Sequence, residues 1–297
     1  MGRPRLILED GTIWEGESFG KETSVSGEVV FNTGMTGYVE SLTDPSYQGQ
    51  ILVLTYPLIG NYGVPGTKHD RHGILQNFES DKIQIEALVV SEFSRHHNHW
   101  KAAQGLADWL KQHNVPAIQG IDTRALTKKL RQKGTLLGKI VFQDDIEFFN
   151  PNIVPMVETA SIDKPVFYNQ NGDKSVVVID CGMKNNILRS LIRRNCSVIR
   201  VPWDYNFLEF SFQAVIISNG PGNPKQCQAT IELIRECLQK RIPTLGICLG
   251  HQLLSLAAGA DTYKLKFGHR SQNQPCLQEN SKRCYITSQN HGYAVDT

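Results

Sequence analysis

Apolar and polar positions follow different periods in the two halves of this 297-residue chain. In the first half, short apolar segments at 6–8, 51–55 and 87–91 predict strands, and Asp10-Gly11 is typical of a hairpin turn. Further on, apolar residues three and four positions apart predict two helices, the second of which ends near Gly134. We therefore predict a mixed α/β domain at 1–150.

The second half has a regular alternation of strand-like and helix-like segments. The preceding segment, 151–174, is punctuated by prolines and lacks an apolar period, which predicts a linker. Apolar runs then predict strands at 175–179, 197–201, 214–217 and 243–247, with amphipathic helices around 187–192, 231–238 and 252–258. Because these strands are apolar on both faces, we predict an open, mostly parallel, doubly wound α/β sheet covered by helices on both sides. This second domain is predicted at 175–297.

Composition narrows the classes of function. The chain has 31 basic and 29 acidic residues, so its charge balance does not favour a nucleic-acid or membrane-surface partner. No apolar run has the length of a membrane span or the position of a signal peptide, and we expect a cytoplasmic protein. The seven cysteines are odd in number and irregularly spaced, which argues against a disulfide framework or a zinc site. We interpret most of them as small buried hydrophobic residues.

One cysteine lies in a different setting, the sequence Gly-Ile-Cys-Leu-Gly-His-Gln. Cys248 stands where a predicted strand passes into a helix, between Gly246 and Gly250, and such a turn exposes a nucleophilic side chain. The helix N-terminus is expected to favour the thiolate, and the N–H of Leu249 to face a developing oxyanion. A lone cysteine at a strand end is usually only buried, but the glycines and Gln252 one turn later favour a nucleophile.

A glycine-containing loop supports this interpretation. The segment Ser218–Pro224 (SNGPGNP) follows the predicted strand 214–217. Since the carboxyl ends of parallel strands share one edge of a sheet, the loop is expected beside Cys248. Gly220 and Gly222 can present backbone N–H and C=O groups to a small polar ligand there.

These two segments together resemble the class I glutamine amidotransferases. Three later segments, KFG at 266–268, NQP at 273–275 and SQNHGY at 288–293, are similar to the carbamoyl-phosphate synthase branch of that class. The first half resembles the small subunit of that enzyme in the segments GEVVFNTGM, LTDPSY, PLIGN and GIDTR. The resemblance covers essentially the whole chain and is strongest to the glutaminase portion of the large fused enzyme of animal-type pyrimidine synthesis.

The resemblance implies a reaction and a set of contacts. Cys248 would attack the amide carbon of L-glutamine, release ammonia and leave a thioester that water hydrolyses to glutamate. Ammonia would pass to a carbamoyl-phosphate synthetase large subunit or domain, which would hold ATP and Mg, for pyrimidine or arginine biosynthesis. No cofactor or metal is expected in this chain. The implied glutamine contacts are Ser46 from the first domain, Gly220, Gly222, Leu249, Gln252, Asn290, Gly292 and Tyr293.

The sequence departs from the family in its expected proton acceptor. The family has a histidine base and a supporting glutamate in a His-Pro-Glu segment downstream of Gln-Asn-His-Gly, and residues 1–297 contain no His-Pro-Glu. We therefore expect either a C-terminally truncated glutaminase or a catalytically silent glutamine-binding partner of the synthetase. His251 and His291 lie near the motifs, but neither matches the base. A glutaminase of another pathway, such as guanylate or anthranilate synthesis, is disfavoured by the first domain.

Two further features have ordinary interpretations. The cluster of His96, His97 and His99 is interpreted as an exposed loop rather than a metal site, since no regularly spaced carboxylate accompanies it. The glycine-rich segments at 34–37 and 60–63 lack the Lys-Ser/Thr of a phosphate-binding loop, and we interpret them as turns.

Overall fold

In the computed structural model, which describes residues 3–296, the chain forms two α/β units packed against each other. The strands of the first unit are β1 (Arg5–Leu8), β2 (Ile13–Glu15), β3 (Glu17–Ser18), β4 (Val25–Asn32), β5 (Gln50–Leu54), β6 (Val64–Pro65), β7 (Ala87–Val90), β8 (Ala102–Gln104), β9 (Ala117–Gln119) and β10 (Leu136–Val141). Its helices are α1 (Tyr38–Leu42), α2 (Leu106–Gln112) and α3 (Thr123–Lys133).

The first unit is built on a mixed sheet in the order β2-β1-β10-β4-β5-β7-β9-β3. The four central strands β4, β5, β7 and β9 run parallel to one another. All other strand pairs in this sheet are antiparallel. Successive strand residues point to opposite faces, so Ile51 belongs to a core with Leu126 of α3 and Leu52 to a core with Trp109 of α2. The predicted hairpin, strands and helices of this half are confirmed.

The second unit follows the predicted alternation of strands and helices. Its elements are α4 (Val157–Ala160), β11 (Val166–Tyr168), β12 (Lys174–Asp180), α5 (Asn185–Arg193), β13 (Cys196–Pro202), β14 (Ala214–Ile217), α6 (Gln228–Gln239), β15 (Thr244–Gly246), α7 (Leu249–Ala257), β16 (Asp261–Leu277) and β17 (Cys284–Asp296).

The sheet of the second unit has the order β11-β13-β12-β14-β15, and β13, β12, β14 and β15 are parallel. Its two faces are both covered: Val177 and Ile217 pack with α6 and α7, while Val176 and Val178 pack with α5. The predicted open, mostly parallel sheet is therefore confirmed, and its strands end at one edge.

Three details differ from the sequence-based predictions. The segment interpreted as a linker contains α4 and β11, and β11 pairs antiparallel with β13. With only three residues, β11 is too short to leave a strand period in the sequence. The strand β15 is not buried on both faces as predicted. It lies at the edge of the sheet, and its Leu245 is 57% exposed. The long hairpin β16–β17 was not predicted, because two register irregularities and its many exposed residues obscure the strand period.

The cysteines divide between core and surface. Cys181, Cys227 and Cys237 are buried, as predicted for small hydrophobic residues. Cys276 and Cys284 are exposed on the β16–β17 hairpin, so that interpretation is wrong for them. Among residues 3–296, no helix combines the length and the apolar character needed to cross a membrane.

Candidate active site

Cys248 occupies a strained turn between β15 and α7. Its backbone has φ 54° and ψ −108°, a conformation that a residue with a side chain rarely adopts. The flanking glycines permit the turn: a Cβ at Gly246 would overlap the backbone of Gly250, and one at Gly250 would overlap the backbone of Ile217. The predicted sharp turn at Cys248 is confirmed.

The surroundings of the thiol favour its protonated form. Burial raises the pKa of Cys248 to about 11, outweighing the opposite effects of the Lys184 charge and of the hydrogen bond from the Leu249 N–H. The thiol itself lies 3.6 Å from the carbonyl oxygen of Asn290, to which it donates. The Leu249 N–H at the start of α7 favours the thiolate, as predicted, but desolvation is the larger effect and the net shift is upward.

A single cavity joins the elements that carry the predicted site. Ser46 comes from the first unit, in a short 3-10 turn at Pro45–Tyr47. The loop after β14, the elbow with α7, and β17 complete the walls. The cavity is lined by all nine residues singled out in the sequence: Ser46, Gly220, Gly222, Cys248, Leu249, Gln252, Asn290, Gly292 and Tyr293.

Hydrogen bonds hold these side chains in position. Ser46 Oγ accepts a bond of 3.0 Å from Asn219 Nδ2, so the two units meet directly at the cavity. Gln252 Nε2 donates to the carbonyl oxygen of Tyr293 at 2.8 Å, which ties α7 to β17. At Gly220 a Cβ would overlap the backbone of Cys181, so the loop approaches β12 as only a glycine allows.

The structure adds an ion pair between a buried carboxylate, Asp44, and a half-buried lysine, Lys184, that the sequence analysis missed. Lys184 Nζ lies 2.9 Å from Asp44 Oδ2, and Asp44 also accepts from Asn290 Nδ2 at 2.9 Å and from the Ser46 N–H at 3.0 Å. Burial lowers the pKa of Lys184, but the Asp44 carboxylate raises it more, so the amine stays charged. Lys184 follows β12, and the edge rule that located the 218–224 loop would have found it too. Asp44 gave no such signal, because its partners are distant in sequence.

No histidine base contacts the thiol in the described part of the chain. Both ring nitrogens of His291 face other acceptors, the Tyr293 carbonyl oxygen at 2.7 Å and Gln289 Oε1 at 3.1 Å. Burial lowers the pKa of His291. His251 is exposed on α7. Within residues 3–296, no histidine ring is hydrogen-bonded to Cys248 Sγ.

The histidine-rich segment lies away from this site. His96, His97 and His99 are exposed, in agreement with their interpretation as a surface loop. No group of three or more histidine, cysteine, aspartate or glutamate side chains is placed to hold a metal ion within 3–296.

A cysteine elbow at the carboxyl edge of a parallel sheet, beside a glycine loop on the neighbouring strand, defines a class I glutamine amidotransferase site. Residues 177–297 match the family described as Glutamine amidotransferase class-I, and residues 6–140 match Carbamoyl-phosphate synthase small chain, CPSase domain. The chain belongs to the carbamoyl-phosphate synthase small-chain family.

Its relatives include both fused and separate proteins. The chain is 52% identical to Multifunctional protein CAD of Squalus acanthias, in an alignment of 297 positions that covers 98% of this chain and 13% of that protein. It is 48% identical to the arginine-specific small chain of carbamoyl phosphate synthase of Emericella nidulans, covering 99% of this chain and 67% of that protein. It is 46% identical to Multifunctional protein pyr1-3 of Dictyostelium discoideum, covering 98% of this chain and 14% of that protein. The chain thus spans a small part of the multifunctional relatives.

Proposed function

We propose that the chain binds L-glutamine and, with Cys248 as nucleophile, releases ammonia for a carbamoyl-phosphate synthetase. The observation that carries the proposal is the single cavity in which the strained Cys248 meets backbone and side-chain groups from both units. Such a cavity offers a zwitterionic amino acid fixed polar partners without a cofactor.

The reaction follows from the atoms at the elbow. The Cys248 sulfur, once deprotonated, attacks the amide carbon of glutamine, and we assign the N–H of Leu249 to the negative oxygen of the tetrahedral intermediate. The carbon–nitrogen bond then breaks, the nitrogen takes a proton and leaves as ammonia, and a thioester remains. Water hydrolyses the thioester to glutamate and restores the thiol. Each half of the reaction requires a group that accepts and returns a proton.

We assign the glutamine contacts by their positions on the cavity wall. Ser46, Gln252 and Asn290 supply side-chain polar groups, and the glycine loop supplies backbone groups. Asp44, paired with Lys184, orients Asn290 and Ser46 by accepting hydrogen bonds from the Asn290 side chain and the Ser46 N–H. The two units would each be needed, since Ser46 belongs to the first and Cys248 to the second.

The proposed partner is a carbamoyl-phosphate synthetase large subunit or domain that carries ATP and Mg. The names of the relatives support this, because they include both a separate small chain and multifunctional proteins. Either pyrimidine or arginine synthesis is compatible with those names. A cytoplasmic setting belongs to the proposal, since all seven cysteines lie free in the described structure, as a reducing compartment favours.

The first prediction is glutamate release that depends on Cys248. The chain, mixed with a synthetase partner, is expected to release glutamate from glutamine, and Cys248→Ser is expected to reduce the rate by about 10⁴-fold or more, as loss of a nucleophile does. The matched control is Cys196→Ser, a half-exposed thiol on β13 outside the cavity, which should keep the rate of the parent chain. Equal rates in the parent chain and Cys248→Ser would refute the assignment of the nucleophile.

A second candidate function is a silent glutamine-binding partner of the synthetase. Two observations favour it. The pKa of Cys248 is raised to about 11, and no histidine among residues 3–296 is hydrogen-bonded to the Cys248 sulfur. Calorimetry separates the two functions. Glutamine binding without glutamate release would establish the silent partner, whereas binding with release would establish the hydrolase.

A further inference from the structure

A buried carboxylate of the first unit forms part of the wall of the Cys248 cavity. Glu28 on β4 is only 4% exposed and lines that cavity. Its Oε1 accepts from Thr135 Oγ1 at 2.9 Å and from Asn152 Nδ2 at 3.2 Å. Lys264 of β16 forms an ion pair with the same oxygen. Donors from three separate segments therefore converge on one carboxylate.

The Glu28 side chain is charged in this setting. Burial by itself raises the pKa of the carboxyl. The positive charges of Lys264 and Arg270, with hydrogen bonds from Lys264 and Thr135, together lower the pKa by more than burial raises it, so the net shift is downward. A buried charge with so many partners has one strongly preferred position, because any displacement leaves a charge or a donor unpaired.

Asn152 connects this carboxylate to the glutamine site. Its Nδ2 donates to Glu28 Oε1 at 3.2 Å and to Asn150 Oδ1 at 3.0 Å. These two acceptors direct its Oδ1 to the other side, where it accepts from the Tyr293 hydroxyl at 3.0 Å. The carbonyl oxygen of Tyr293 accepts from Gln252 Nε2 at 2.8 Å. A continuous set of hydrogen bonds thus runs from β4 of the first unit to α7 beside Cys248.

We propose that Glu28 is a positioning residue of the glutamine site. Its carboxylate orients Asn152 together with Asn150 Oδ1. Asn152 in turn holds Tyr293, and through it Gln252, where both line the cavity. The inference rests on the proposed function, since it concerns binding of the same substrate. It gives the first unit a role in shaping the pocket beyond the contact from Ser46.

The test compares two variants of the full chain that both alter carboxylates joining the units. Glu28→Gln keeps the size of the side chain but removes the charge opposite Lys264 and allows an N–H to face Asn152. Glu79→Gln is the matched control. Glu79 joins the units through Arg189 at 3.3 Å, and it lies outside the set of described residues that line the Cys248 cavity.

Two reagents for Cys248 distinguish positioning from general loosening. A chloroketone analogue of glutamine must be recognised before it alkylates the thiol, whereas iodoacetamide needs only an accessible sulfur. Glu28→Gln is expected to raise the half-saturating concentration of the analogue about 10- to 100-fold and to change the iodoacetamide rate less than about twofold. Glu79→Gln leaves the hydrogen bonds from Arg189 to the carbonyl oxygens of Leu75 and Phe78 in place, so it is expected to change either reaction less than about twofold.

Several outcomes would overturn the inference. Similar effects of Glu28→Gln and Glu79→Gln on the analogue would show a loosened interface, and no effect of Glu28→Gln would show that the carboxylate does not position the site. If Glu28→Gln does not fold, Tyr293→Phe decides, because it removes only the hydroxyl that reaches Asn152. Tyr293→Phe alone should raise the half-saturating concentration about tenfold. Where Glu28→Gln does fold, Tyr293→Phe should add little to it in a double variant.

The proposed function fails in a different way. If the parent chain reacts with the glutamine analogue without saturation, and no faster than its intrinsic reactivity with simple thiols predicts, the cavity does not recognise glutamine at all. Saturation in the parent chain with no change in Glu28→Gln leaves the proposed function in place and removes only the role of Glu28.

Discussion

At the scale of single residues, two opposing environments act on the Cys248 thiol. Burial disfavours the thiolate, while the Lys184 ammonium and the Leu249 N–H favour it. The result is a pKa of about 11, above the ordinary value of 9.0. At neutral pH the sulfur is therefore protonated in nearly every molecule, and its reactivity depends on a proton acceptor.

This environment predicts the pH dependence of alkylation. The rate of iodoacetamide reaction at Cys248 should rise about tenfold per pH unit from neutral pH and level off near pH 11, since only the thiolate reacts. Peptide mass spectrometry can follow the one site, with Cys248→Ser identifying the signal. Stability changes in the opposite direction: because the pKa in the folded chain lies above the ordinary value of 9.0, the shift contributes stability below pH 9 that is lost as pH rises through about 11. A plateau near pH 7 would contradict the burial argument.

At the scale of the elements, the start of α7 is determined by close backbone contacts. The N–H of Gly250 donates to the carbonyl oxygens of Ser218 and Ile247, each at 3.0 Å, so the first turn of the helix is attached to the end of β14. There is no space for a side chain at this approach. The elbow therefore depends on a glycine two residues after the nucleophile.

A methyl group at this position should disturb the elbow. Gly250→Ala is expected to lower the free energy of unfolding by about 1–3 kcal/mol, as overpacking does, and to abolish alkylation by the glutamine chloroketone. Urea denaturation measures the first effect. The matched substitution is Gly66→Ala, where the added methyl meets nothing closer than 3.7 Å and stability should be unchanged. If both alanine variants are equally stable, the contact with Ile217 is not limiting.

At the scale of the whole molecule, the site exists because two units pack in one orientation. Helix α5 of the second unit contacts the segment 75–79 of the first. Arg189 donates to the carbonyl oxygens of Leu75 at 2.6 Å and Phe78 at 3.2 Å and pairs with Glu79 at 3.3 Å. This interface keeps Ser46 beside Asn219, and thus keeps the cavity closed across the two units.

Removal of this contact should affect stability and binding together. Arg189→Ala removes the hydrogen bonds to the carbonyl oxygens of Leu75 and Phe78 and the ion pair with Glu79, so the free energy of unfolding should fall by about 1–3 kcal/mol. Glutamine affinity, measured by calorimetry, should fall with it. The control is Arg193→Ala, one turn later on α5, whose exposed side chain bonds only within its own helix in the described structure. Equal stability of the two variants would show that Arg189 does not hold the units together.

Local features of this protein could be predicted from its sequence. Apolar periods and one turn located eight of the seventeen strands and five of the seven α-helices in the described part of the chain, because burial on one or two faces leaves a repeat of two or 3.6 residues. The glycines around Cys248 and in the 218–224 loop identified the elbow and its neighbour, since only glycine permits those approaches. Together with the motifs, they led to all nine residues that line one cavity.

Contacts between residues far apart in the chain are visible only in the folded structure. The pairing of β11 with β13, the exposed edge of β15, the Asp44–Lys184 pair and the Glu28 network join segments that no local period connects. The state of the Cys248 thiol belongs to the same group. A helix N-terminus is visible in sequence and favours the thiolate, but desolvation depends on everything packed around the sulfur, and only the folded chain shows that it is the larger effect.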